Sequence, residues 1–128
     1  MNKRIIIIAS VFGFLAVMFG AFGAHSLKKL IEPNELEIWR TGVDYQFYHT
    51  FALLFISSCS RFKSRLINIS SWCFTIGIVL FSGSLYLMAT KNLLHIESTS
   101  FIGPITPLGG VFFLAGWLCL LMGTIKNR

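Results

Sequence analysis

The chain has 128 residues, enough for one domain and too few for two. Hydrophobic residues make up 55% and charged residues only 12%, where an average soluble domain is about 25% charged. At a mean hydropathy of +0.73, too few charges remain to cover a water-facing surface. This excludes most cytosolic enzymes, nucleic-acid modules and disordered segments, and it points to an integral membrane protein. The net charge of +6 does not indicate nucleic acid, because the basic residues sit at the ends of apolar runs. There they meet lipid headgroups and set orientation.

A bilayer core about 30 Å thick needs about 20 apolar residues of helix, because every backbone polar group must be satisfied within the segment. The first such run, residues 5–24, carries no charge. Lys3 and Arg4 before it imitate a signal peptide, whose apolar region is usually about 7–15 residues. The run here is longer, and its small residues recur throughout instead of gathering at a cleavage site, so it reads as a retained span. In the following connection Leu27, Leu30 and Ile31 keep helical spacing around Lys28 and Lys29, which predicts a short interfacial helix. Pro33 interrupts it, and Asn34 with Glu37 reads as a capping box opening the second helix. That helix is expected to enter the membrane near Asp44 and to span 42–60, with Trp39, Tyr45 and Tyr48 as an aromatic belt. Spans at 66–90 and 104–125 follow, the last opening on Gly103-Pro104-Ile105-Thr106-Pro107, where proline suits a first helical turn. Cys59, Cys73 and Cys119 lie inside apolar runs without CxxC spacing and read as buried thiols.

The expected fold is therefore an all-α membrane protein, a single transmembrane domain of four transmembrane helices in an antiparallel up-down bundle. One side of it would carry Lys3, Arg4, Arg61, Lys63, Arg65, Lys126 and Arg128 with no acid. The other would carry Lys28, Lys29, Arg40 and Lys91 with all five acids, Glu32, Glu35, Glu37, Asp44 and Glu97. The positive-inside rule places both termini in the cytoplasm.

Lipid tails are as apolar as leucine, so close approach across small side chains is expected to hold the helices together. Ala9, Gly13, Ala16, Gly20 and Gly23 form such a seam on the first span. Gly109, Gly116 and Gly123 recur every seventh residue on the fourth, with Cys119 on the same stripe. Ser70, Cys73, Gly77 and Ser84 lie along the third. These seams predict a tight, left-handed bundle.

Ionisable residues near membrane segments are functional candidates. They gather in one place: His25 at the outer end of the first span, and Asp44, Tyr45, Gln46 and His49 at the outer start of the second. Gln46 and Tyr45 lie three and four residues from His49, on one helical face. Antiparallel packing of the two spans would bring His25 to the same depth. Such a cluster serves as a hydrogen-bonded network tying helix ends together. The alternatives are a ligand, headgroup or proton-handling site, and a metal site of His25, His49 and Asp44, whose ligands lack a diagnostic spacing. His95 beside Glu97 reads as a solvated interfacial histidine. No nucleophile motif, phosphate-cradling loop, HExxH or catalytic carboxylate pair occurs, so no enzyme, cofactor or metal is expected. The deep parts of the spans hold no acid or base, which argues against coupled transport by one subunit.

Gly20-Ala21-Phe22-Gly23-Ala24-His25 with Leu27, then Trp39, Thr41-Gly42-Val43 and Tyr45-Gln46-x-Tyr48-His49 resemble the family called domain of unknown function 423. Phe81-Ser82-Gly83-Ser84-Leu85-Tyr86, Gly103 to Gly110 and Gly116-Trp117 continue the likeness along nearly the whole chain. The resemblance implies a four-helix protein of the bacterial cell membrane with no established activity and no assigned catalytic residues. The expected role is structural or organisational in the envelope, with the lipid bilayer, a second copy or other membrane proteins as partners. The alternatives are a small oligomeric channel or transporter, and a lipid- or quinone-binding protein using the outer cluster.

Overall fold

The computed structural model describes residues 2–59 and 63–126. Ser60, the expected end of the second span, and Arg61 and Arg128 of the charge count lie outside these residues. The described residues are helical apart from turns and connections, the longest of which is 90–104.

Helix α1 (Lys3–His25) starts under Asn2, whose side-chain carbonyl accepts the Ile5 N–H at 3.4 Å. After it comes a single 3-10 turn, Leu27–Lys29, where the sequence predicts an interfacial helix. Leu27 is fully buried against Trp39, Val43 and Ala89, so the segment is a clamp between helices at this point. Helix α2 (Pro33–Ser58) begins at the proline that was expected to break it. The N-cap is Glu32, not Asn34, and the Glu35 carboxylate accepts the Glu32 N–H at 3.0 Å. Proline is at home there because the first helical N–H has no intrahelical acceptor to lose.

Helix α3 (Arg65–Gly77) is capped by Ser64, whose hydroxyl accepts the Ile67 N–H at 3.2 Å. It continues through a π-helical segment (Ile78–Ser82) into α4 (Gly83–Ala89), forming one continuous rod. Helix α5 (Ile105–Lys126) leaves Pro104 in the preceding turn and takes Pro107 into its first turn.

The Arg4 guanidinium donates to Asn68 Oδ1 at 2.9 Å and lies 4.7 Å from the Trp72 ring centre. Phe19 and Tyr86 meet at 5.0 Å between ring centres. Helix α1 and the α3–α4 rod therefore run parallel, and α2 runs opposite to both. Gly123, near the end of α5, rests on Ile67, near the start of α3, so α5 is also antiparallel to the rod. Helix α2 and the rod form the inner pair, with α1 against α2 and α5 against the rod.

Helix α1, the rod and α5 are long and apolar enough to cross a membrane. The chain of α2 is as long, 26 residues, but Glu35, Glu37, Arg40, Asp44, Gln46 and His49 make it the least apolar of the four.

The glycines mark where the helices touch. A Cβ at Gly109 would overlap the backbone of Phe81, in the π segment. One at Gly116 would come within 2.6 Å of the Phe74 ring, at Gly77 within 2.5 Å of Phe113, and at Gly23 within 2.6 Å of Trp39 Nε1. Gly13 and Gly20 are looser, 3.6 Å from Thr50 and 3.5 Å from Val43, and Gly83 faces open space. The contact at Gly109 is against backbone, which has no rotamer to yield. Gly109→Ala should therefore destabilise the bundle by about 1–3 kcal/mol. Gly83→Ala should be neutral or stabilise it by up to about 1 kcal/mol through helix propensity. Thermal unfolding of the two variants in detergent checks the contrast.

Candidate functional site

Two apolar clusters fill the bundle. One, towards the chain ends, contains Ile5, Ala9, Leu53, Ile56, Ile67 and Phe74. The other, at the opposite end, contains Leu27, Trp39, Val43 and Ala89. Polar side chains of α2 occupy the layer between them, and Gln46 and His49 bind neighbouring helices from it.

Gln46 is buried, and its amide Nε2 donates to the Phe12 carbonyl of α1 at 2.8 Å. Its Oε1 accepts from the Tyr86 hydroxyl of α4 at 2.6 Å. One turn further on, Trp117 Nε1 of α5 donates to His49 Nε2 at 3.1 Å. An indole N–H can only donate, so Nε2 carries the lone pair and Nδ1 carries the proton. Nδ1–H then donates to the Tyr45 carbonyl at 2.8 Å. Both nitrogens are used, and the ring is a neutral imidazole. It lies face to face with Phe113, 3.6 Å between centres and 6° between planes.

The ladder continues along α2. Trp39 Nε1 donates to the Phe19 carbonyl of α1 at 2.9 Å. Ser82, at the end of the π segment, donates to the Gly42 carbonyl at 2.7 Å. At the start of α2 buried Glu35 accepts from Asn92, beyond α4. Among the described residues no buried side-chain nitrogen or oxygen lacks a partner.

The structure divides the expected cluster. Gln46 and His49 form the layer, and Tyr45 borders it with its carbonyl and a half-exposed ring against Phe81. His25 and Asp44 are not part of it. Gln46 is level with Phe12, thirteen residues before His25 on α1, which separates His25 from the layer by about 20 Å at 1.5 Å per residue. The expectation of equal depth fails because α2 already begins at Pro33, after only a short turn. Asp44 faces outward from α2. A metal site of His25, His49 and Asp44 is therefore ruled out by position. Sequence reasoning missed Tyr86 and Trp117 as partners. The available signal was a large aromatic side chain with a polar atom in each of two apolar spans, in Trp117's case beside a packing glycine.

Fold and site together define a small helical membrane protein whose interior polar groups bond one another. The chain belongs to the family described as protein of unknown function (DUF423), whose model matches residues 19–110. It is 42% identical over 131 residues to the inner membrane protein YgdD of Escherichia coli, covering 99% of this chain and 93% of that one. It is 41% identical over 124 residues to a membrane protein of Staphylococcus saprophyticus, covering 97% and 98%. With the membrane protein YwdK of Bacillus subtilis the identity is 37% over 126 residues, covering 97% and 98%. No solved structure matches. The chain is a membrane protein of a family without an assigned activity.

Trp117→Phe keeps an aromatic ring and removes the only described donor to His49 Nε2, and should cost about 1–2 kcal/mol. Nitrogen chemical shifts of His49 should show the Nδ1–H tautomer in the parent chain and a tautomer mixture in the variant. Tyr86→Phe leaves Gln46 Oε1 without its donor and should cost about 0.6–1.7 kcal/mol in detergent unfolding.

Proposed function

We propose that this protein is a four-span component of the cell membrane with both termini in the cytoplasm. Its role is structural or organisational, as a partner of other membrane proteins or of itself, with no catalysis of its own. The observation that carries this is the closed polar layer. Gln46, His49, Tyr86 and Trp117 spend their hydrogen bonds on one another and on backbone carbonyls. Phe113, stacked on His49, and Phe81, tilted against Phe113, fill the space beside them. A relay or binding site needs a group free to exchange partners, and the buried groups of this layer are committed.

Four spans are favoured by chain direction. Helix α1 and the α3–α4 rod run parallel, so if both cross the membrane the chain between them must return across it, and α2 is that segment. The 3-10 turn then lies at the far membrane face with Lys28 and Lys29 exposed. The charge asymmetry favours cytoplasmic termini. Impermeant maleimide should label Lys28→Cys from outside intact cells and Lys63→Cys only in inverted vesicles. Label on both positions from one side would sink the four-span topology. Proteoliposomes should pass protons no faster than protein-free vesicles; a flux abolished by His49→Ala would sink the structural role.

A second reading, lipid binding, is supported at a different place from the expected outer cluster. A cavity of about 570 Å³ opens at the end of the bundle that holds the chain ends. Ile5, Ile56 and Ile67 contribute its apolar lining, and Lys3, Lys63 and Arg65 its charge, with no acid among the lining residues. Such a site suits an anionic headgroup. Phosphatidylglycerol should then raise thermal stability in nanodiscs more than phosphatidylcholine, and Lys63→Gln with Arg65→Gln should remove the difference.

A further inference from the structure

The outward faces of the bundle differ. Helix α1 presents Ile7, Val11, Phe14 and Val17, and α5 presents Val111, Leu114 and Leu118, as expected of surfaces covered by lipid. Helix α2 presents Glu37, Arg40, Thr41, Asp44, Tyr48, Phe51 and Phe55 along one stripe. Asp44 is exposed, and its neighbour Val43 packs on Gly20 of α1. Phe22, exposed on α1, lies two residues nearer the end of that helix. Apolar surface therefore continues outward past the level of the carboxylate. Charged side chains at membrane depth normally face a bundle interior, a water-filled cavity or a partner charge, and on this face the opposite charges within reach of Asp44 and Arg40 are those of the stripe itself.

We infer that the outward face of α2 is the contact between two copies of this chain, with Arg40 of each copy paired with Asp44 of the other. The inference rests on α2 crossing the membrane. Two copies inserted in the same orientation are related by a twofold axis along the membrane normal, so their α2 helices lie parallel. A twofold contact is reciprocal: whatever residue i meets, its counterpart meets in return. Arg40 and Asp44 stand one turn apart on the stripe with opposite charge, so the face is complementary to itself. Tyr48, Phe51 and Phe55 continue the contact inward with aromatic surface. The faces of α1 and α5 lack any such complementarity and remain against lipid.

Oxidative cross-linking in native membranes tests this, in a background with Cys59→Ser, Cys73→Ser and Cys119→Ser. Tyr48→Cys should give a covalent dimer, and Val11→Cys and Leu118→Cys should not. Arg40→Asp and Asp44→Arg should each lower the Tyr48→Cys dimer several-fold by placing like charges together. The double swap should restore it, which a misfolded protein would not do. Native mass spectrometry from nanodiscs should follow the same order. A dimer linked equally well through Val11→Cys or Leu118→Cys, or charge reversals without effect, would overturn the inference. So would a monomer in native membranes. If the maleimide labels lie on opposite faces while Tyr48→Cys stays unlinked, the dimer falls and the four-span topology stands. If they lie on one face, both fall.

Discussion

Polar groups shut away from water must be hydrogen-bonded inside the bundle, and α2 carries more buried polar side chains than any other helix among the described residues. Thr50, Ser57 and His49 Nδ1 bond carbonyls of α2 itself, but the other groups find partners on neighbouring helices, and the arrangement of the bundle follows from them. Gln46 binds α1 and α4 at once, His49 binds α5, and Trp39 binds α1 again. The Gly42 carbonyl takes the Ser82 hydroxyl. Helix α2 is therefore the inner member of the bundle although it is the least apolar. In water the opposite order would hold, because apolar burial would drive the core.

The small residues and the polar layer depend on each other. A hydrogen bond to a helical carbonyl, such as Gln46 to Phe12 or Ser70 to Gly116, needs the donor helix close to bare backbone. At Gly116, where a Cβ would come within 2.6 Å of the Phe74 ring, the missing side chain allows that approach. The π segment plays a similar part on the rod, where Phe81 sits against Gly109 while Ser82 reaches Gly42. Interhelical hydrogen bonds in membranes average only about 0.6 kcal/mol each. It is the number of partners converging on α2, with the ring packing around them, that sets the geometry.

Much of this was legible in the residues. The absence of charge over 5–24 and the glycine periodicities carried the helical, membrane-embedded character and the faces on which helices would meet. Gln46 and His49 stood out as polar residues three apart on one face, and both lie in the layer. The grouping of His25 and Asp44 with them was not legible, because relative depth depends on where α2 starts. A proline usually read as a break served as a first helical residue, with Glu35 accepting the backbone N–H ahead of it.

From composition and local spacing alone, this chain had to be helical, had to favour lipid over water, and had to carry its polar side chains mainly on one segment. Those properties belong to single residues and their near neighbours. The pairing of His49 with Trp117 and of Gln46 with Tyr86, separated by 68 and 40 residues in the chain, came only with the assembled bundle. So did the exposure of Asp44. A side chain's partner across a helix contact depends on the rotation and offset of both helices, and these are settled jointly by every contact in the bundle.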